Sequence, residues 1–523
     1  MIRLLLALLL LPLAATAGDV PVDKLPREVR DAVEKRFPGA KIVNADIDRL
    51  GAGNKPRTVL TYELTCTLPD REIEVLVTED GKVLDEELKV TPLRGEITLS
   101  KADVREDFDF LEKSLAERFA YLDYGKVAFP AAPKRDLTRS ELALEVQKVM
   151  ARFIDGHADV SGLPEGRAFL PFLVESTQGR FVAFKPDRSG FVEDGFPWIE
   201  SIDGRAMKDW VKELGVVVPQ GSPSYTTRQA LRWLRALDLC RRIVGDRERD
   251  DLEAVLTDGT KRKKVKLALA SRQPVYGPRP RPRPPGIDGP VGYRPLAEMD
   301  DNAARLVREW MPRLKETTAI VIDVRGNGGG TRDALLELHP WLADTRVASV
   351  SKHRLAFPAG HLDARFMMRA DDPRLAEKDL VKAFLAAFKP EWEPPPAKFS
   401  DWHVLLLSGG AAGDRYAGRI LVLMDDRCFS ATDIFLGALK GLPNVTLVGR
   451  ASGGGSGFKQ SFTLPRSGIE VRCASMASFT PAGQLYDRRG IEPDVALEPA
   501  PEYFLEGHRD EVLEKARDLL AKG

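Results

Sequence analysis

Residues 419–441 read RILVLMDDRCFSATDIFLGALKG. A continuous apolar run after Arg419 predicts a buried strand, ended by Asp425 and Asp426. From Ser430 onward the apolar residues fall at helical spacing, so the stretch is a strand, a short acidic turn and a helix. Ser430 sits where that helix begins. Its hydroxyl has two uses there: to cap the helix by accepting a backbone N–H, or to attack a substrate. For attack, the N–H of Ala431 lies at the positive end of the helix, where a developing oxyanion is stabilised. The turn is not a G-x-S-x-G elbow, so the choice depends on partners elsewhere in the chain.

Moving outward, TAIVIDV (318–324) is a second strand of the same kind, followed by RGNGGG (325–330) and the helix DALLELHPWL (333–342). No Lys-Ser/Thr follows the glycines, so this is not a phosphate-binding P-loop. Gly328, Gly329 and Gly330 let the backbone approach a ligand closely and aim N–H groups at it. NVTLVG (444–449) is a further strand, then RASGGGSG (450–457), and RDEVLEKARDLL (509–520) is a final helix. From about residue 292 the pattern is βαβ-like, with ligand sites expected at the strand C-termini. Residues 351–414, which include PEWEPPP, read as an irregular insertion over one sheet edge.

The rest of the chain divides by pattern. Its 523 residues predict about three folding units. Residues 1–17 carry Arg3, a short apolar run and Ala15-Thr16-Ala17, the pattern of a cleaved export signal, with an N-terminal anchor as the competing reading. The expectation is a periplasmic or secreted bacterial protein with no membrane anchor after cleavage. Residues 18–96 read as one amphipathic helix on a meander of strands, an α+β unit. Residues 97–170 are helical: Phe108, Leu111, Leu115 and Phe119 share a face, and Thr138 with Glu141 forms a capping box. Residues 171–270 return to strands, with a short helix at MKDWVKELG (207–215) and a longer one over 225–245. Residues 271–291 are a Pro/Arg-rich spacer, and 292–523 are the parallel core.

Lys+Arg and Asp+Glu are both 78, so the balanced charge points to neither nucleic acid nor a membrane surface. Cys66, Cys240, Cys428 and Cys473 are widely spaced, which argues against a zinc ribbon. Cys428 reads as a buried small hydrophobe, with a disulfide to Cys473 as the alternative. No metal-spaced His/Cys cluster is visible, and no cofactor is implied.

Taken in order, AIVIDVRGNGGG, RILVLMDDRCFSATDIF, LVGRASGGGSG and RRGIEPDV resemble the S41 serine peptidases. That family includes C-terminal processing peptidases, tricorn core peptidases and retinoid-binding repeats, and the resemblance spans about residues 98–500. It implies a ClpP/crotonase-like core with a helical segment, and a polypeptide substrate. It also implies that Ser430 is the nucleophile, with oxyanion donors at Ala431 and at Gly328 or Gly329. In the processing branch the base is a lysine, but Gly455 stands at its place and Lys459 is displaced by four residues. The tricorn-like branch uses a histidine after Asp-Gly, which here is His157 in FIDGHADV. A neutral imidazole suits proton abstraction near neutral pH. The same branch places a carboxylate before its G-V-x-P-D turn, which maps to Asp487 in YDRRGIEPD; the family residue is glutamate. Where that branch has a serine beside its histidine, this chain has Gly156; Ser452 and Ser456 are other hydroxyls in reach by sequence. Asp323, Arg325, Asp433 and Asp494 read as structural. Residues 171–270 resemble a PDZ domain without its Gly-Leu-Gly-Phe loop, and 18–96 resemble a PepSY-like domain. Two alternatives stay open: an inactive binding protein on the same scaffold, and a Ser430–Lys459 dyad.

Overall fold

The computed structural model describes residues 18–50, 59–68, 71–89, 96–125, 127–279, 283–355, 368–369, 371, 375 and 377–521. The export signal read at 1–17 lies outside them. The chain forms two compact units, one of residues 1–94 with 358–365 and one of 95–357 with 366–523.

In the first unit the strands Gly18–Asp19, Lys41–Leu50, Val59–Leu68, Arg71–Thr78 and Val83–Lys89 lie side by side in chain order, all antiparallel. The helix Arg27–Arg36 buries Val29 and Val33 with Leu64, Val75 and Val77. This is the helix-on-meander arrangement that the period-two pattern predicts.

The second unit is built around a sheet in the order Gly286–Asp288, Val291–Pro295, Ala319–Asp323, Arg419–Met424, Val445–Gly449, Val495–Ala496. All but the first pair are parallel. The central strands are buried along nearly their whole length, as their unbroken apolar runs require. One face carries the helices Asp301–Leu314, Asp333–Leu338 and Ala431–Leu439, and the other carries Glu511–Ala521. All nine residues of Ala431–Leu439 are buried, so the helix that Ser430 begins is a core element.

Around this core stand three further layers. The helices Lys101–Arg118 and Arg139–Met150 each begin with a complete capping box, Ser100 with Asp103 and Thr138 with Glu141. They share a core with Val350, Val471 and Phe479. The segment 171–270 forms an antiparallel sheet in the order Arg262–Ala268, Asp251–Thr257, Trp198–Ile202, Arg180–Phe184, Leu173–Thr177. The expected single helix over 225–245 is two, Pro223–Trp233 and Leu237–Val244. The break follows from tertiary hydrogen bonding: Leu170 N–H donates to the Arg235 carbonyl at 2.8 Å, pulling the chain out of helical register. The stretch 351–414 is also more regular than expected. Its strand His403–Leu407 pairs with Arg346–His353, which in turn pairs with Met476–Phe479. HVLLL is too short for periodicity to separate it from a loop, and its partners lie far away in sequence.

Among the described residues no helix is long and apolar enough to cross a membrane. The four cysteines are free and buried; Cys428 and Cys473 lie in different cores, and no disulfide joins them.

Candidate active site

Ser430 has φ 59° and ψ −120°, a backbone conformation that costs a non-glycine residue about 1–3 kcal/mol. Its side chain makes no capping hydrogen bond. Asp433 stands in the first turn of the same helix, and its carboxylate takes other donors. The cap reading of Ser430 therefore falls away, and its hydroxyl is left at the apex of a strained strand-to-helix turn, the geometry of an exposed nucleophile.

Asn327 holds the glycine turn against this apex. Its Oδ1 accepts Thr432 Oγ1 at 2.8 Å, its Nδ2 donates to the Leu296 carbonyl at 2.9 Å, and its own carbonyl accepts Phe429 N–H at 3.1 Å. Gly329 has φ +105°, and a Cβ there would lie 2.7 Å from Ser430 Cβ and 2.6 Å from the Phe429 carbonyl oxygen. Only glycine lets the two turns meet. The N–H of Gly329 donates to Asn327 Oδ1 at 2.9 Å, so it is spent within its own turn. Of the expected oxyanion donors, those of Gly328 and Ala431 meet no acceptor among the described residues.

Asp433 does more than complement the helix dipole. It accepts Ser452 Oγ and the N–H groups of Gly454 and Gly455, both at 3.1 Å, tying the second glycine-rich loop to the serine helix. Burial pushes its carboxyl up to about 7, with these hydrogen bonds opposing the shift. Asp323 and Arg325 form the expected ion pair at 2.6 Å, extended to Asp510.

His157 reaches the core by strand pairing. Just after it, Asp159–Val160 pairs antiparallel with Glu470–Ala474, Val160 opposite Val471. Asp155 Oδ1 accepts the His157 N–H at 2.9 Å and its Oδ2 accepts the Ala474 N–H at 2.8 Å. Asp487, buried in the same place, accepts Tyr121 Oη–H at 2.6 Å and Ser456 Oγ–H at 3.1 Å on Oδ2. One ring nitrogen of His157 and one carboxylate oxygen from each of Asp155 and Asp487 lie within 4.8 Å of one another. Neither ring nitrogen of His157 has a hydrogen-bond partner, nor has Asp487 Oδ1. Burial, with the Lys459 charge adding to it, holds the imidazole down at about 3, so it is neutral. Burial pushes Asp487 up to about 8 and Asp155 to about 6.

No hydrogen bond joins His157 to Ser430. The ring of Phe429, the residue before the serine, packs on the imidazole with centroids 4.6 Å apart and stacks on Tyr225 at 4.9 Å and 11°. This ring explains both departures from the family pattern. A Cβ on Gly156 would lie 2.8 Å from Phe429 Cζ, and one on Gly455 would overlap the same ring. The space that a serine and a lysine would need is taken by one phenyl group. Phe429, Tyr225 and Tyr121 escaped sequence reasoning; the one signal in the chain was that Phe429 adjoins the serine. Lys459, which begins the strand Lys459–Thr463, is exposed and shares with His157 and Phe429 a cleft of about 810 Å³.

A serine on a strained turn at the C-terminal edge of a parallel sheet, faced by a glycine turn, defines a serine hydrolase site. The family comparison agrees. Residues 290–497 match the model of peptidase family S41, and the match supports a serine peptidase, an enzyme that acts on polypeptides. Among solved structures, mature CPAF complexed with lactacystin shares the fold at a TM-score of 0.54 and 15% identity, over 81% of this chain and 98% of that one. A CPAF point mutant matches at 0.53 and 18%, over 81% and 97%. At such identity the likeness is one of fold. No curated protein matches the chain in sequence.

Proposed function

We propose that this chain is an exported serine endopeptidase in which Ser430 attacks the peptide carbonyl and His157 is the general base. His157 takes the Ser430 proton and returns it to the leaving amine. Asp487 orients the imidazole. The N–H groups of Ala431 and Gly328 receive the oxyanion. The observation that carries this reading is Ser430 itself: a positive-φ residue on a buried helix, uncapped, with a glycine turn fitted against it. The His157 ring packs on Phe429, the residue before the serine. The Phe429 ring leaves the imidazole as substrate enters, and the base then meets the hydroxyl. The exposed position of Lys459 speaks against the dyad alternative, because a lysine base must be desolvated. The segment 171–270 is a PDZ-like unit, and the first unit a PepSY-like domain.

The covered imidazole favours one competing reading, a non-hydrolytic binding protein on the same scaffold. A fluorophosphonate probe and a casein digest separate the two. The wild-type chain should label and cleave, and Ser430→Ala should do neither. Cleavage that survives Ser430→Ala overturns the assignment of the nucleophile. A folded wild-type chain that neither labels nor cleaves favours the binding protein.

A further inference from the structure

The imidazole side of the site holds more ligand atoms than its hydrogen bonds use. His157 is 7% exposed and Asp487 1%, yet both ring nitrogens and Asp487 Oδ1 are without partners. Leaving a buried polar atom unpaired costs about 1–3 kcal/mol. Asp155, fully buried, brings a third ligand atom within 4.8 Å of the other two. From this geometry we infer that Asp155, His157 and Asp487 form a site for a divalent cation of the zinc class.

The donor set selects the metal. One imidazole nitrogen and two carboxylate oxygens are the N/O ligands that zinc takes at about 2.0–2.2 Å, with a fourth position left for water. A tetrahedron of such bonds puts ligand atoms about 3.4 Å apart. Small side-chain rotations at Asp487 close the remaining gap. Calcium needs six to eight oxygens and magnesium a near-octahedral shell, and three ligands including an imidazole meet neither demand. The Asp155 backbone contacts, to His157 N–H and Ala474 N–H, are already in place and hold that ligand in position. Asp487 is likewise steadied by Tyr121 and Ser456 on its other oxygen. These are the outer hydrogen bonds that orient metal ligands. The cation enters through the cleft that His157 lines; Lys459 and Arg472 stand in the same cleft and oppose it with positive charge.

Binding of the cation is measured apart from turnover, but its consequence rests on the proposed function, since His157 and Asp487 serve both. A cation held on the imidazole occupies the lone pair that would take the serine proton, so zinc switches the peptidase off.

The test uses metal-stripped full-length Ser430→Ala protein titrated with zinc chloride by calorimetry, and wild-type protein for hydrolysis. One zinc per chain should bind, and magnesium should not. Adding His157→Gln or Asp487→Asn should weaken zinc by at least about tenfold, while adding Lys459→Ala should tighten it. Circular dichroism confirms that each variant is folded. Absent binding, or binding that neither ligand substitution weakens, overturns the site. Binding without inhibition of the wild-type enzyme leaves the site standing and overturns the role of His157 as base.

Discussion

The two halves of the site are built on opposite principles. On the serine half, Asn327 and Asp433 are hydrogen-bonded to their neighbours, and the tension sits in the backbone, at Ser430 and Gly329. On the imidazole half the tension sits in side chains: two ring nitrogens and a carboxylate oxygen are buried without partners. In the proposed peptidase the first half positions the nucleophile before substrate arrives. The second gains its partners when Phe429 moves, which is where turnover in that peptidase would be governed.

The sharpest way to break this comparison is to remove the imidazole. His157→Ala should lower kcat/KM by about 10⁴-fold or more, while Lys459→Ala should change it by no more than about fivefold, as for an exposed charge. A peptidase assay on purified variants decides it, and the reverse order would move the base to Lys459. Next comes the contact that joins serine turn to glycine turn. Gly329→Ala should cost about 10²-fold in kcat through displacement of Ser430, with thermal unfolding showing the chain still folded.

Asp487 tests whether the imidazole half is strained as described. Burial raises its carboxyl from 3.8 to about 8, so between those values the folded chain keeps a proton that the unfolded chain has lost. The stability it contributes is full below about pH 4 and is lost as pH rises through about 8. Asparagine cannot ionise. Asp487→Asn should therefore gain stability on the parent as pH rises, by a few kcal/mol at pH 8.5 and little at pH 4, while losing peptidase activity. Urea unfolding at the two pH values measures this; a parallel pH dependence in both proteins would mean that the carboxyl is not strained. The smallest effect probes the serine backbone. Ser430→Gly should be more stable than Ser430→Ala by about 1 kcal/mol, since only glycine occupies that conformation without cost. Equal urea midpoints would place the strain elsewhere.

Much of this was legible in the chain. The buried strands, the helix from Ser430, the Thr138 capping box and the glycine turn all follow from periodicity and local chemistry. The position of Asp487 beside His157 came from family resemblance alone, and the packing that brings the two together could not be read from spacing. Asp433 looked like a simple helix-dipole residue, but its carboxylate also fastens a loop about twenty residues away, because burial obliges it to find donors. Gly156 and Gly455 looked like losses of catalytic groups; the Phe429 ring that fills their place is visible only in three dimensions.

By itself the sequence determined the parallel core, its apolar strands and the turn that carries Ser430, because those depend on residues a few positions apart. Family resemblance pointed to His157 as the histidine, and only the tertiary structure decided what covers it. The antiparallel pairing of Val160 with Val471 draws His157 into the core, and such pairing depends on long-range burial and hydrogen bonding that local patterns do not encode.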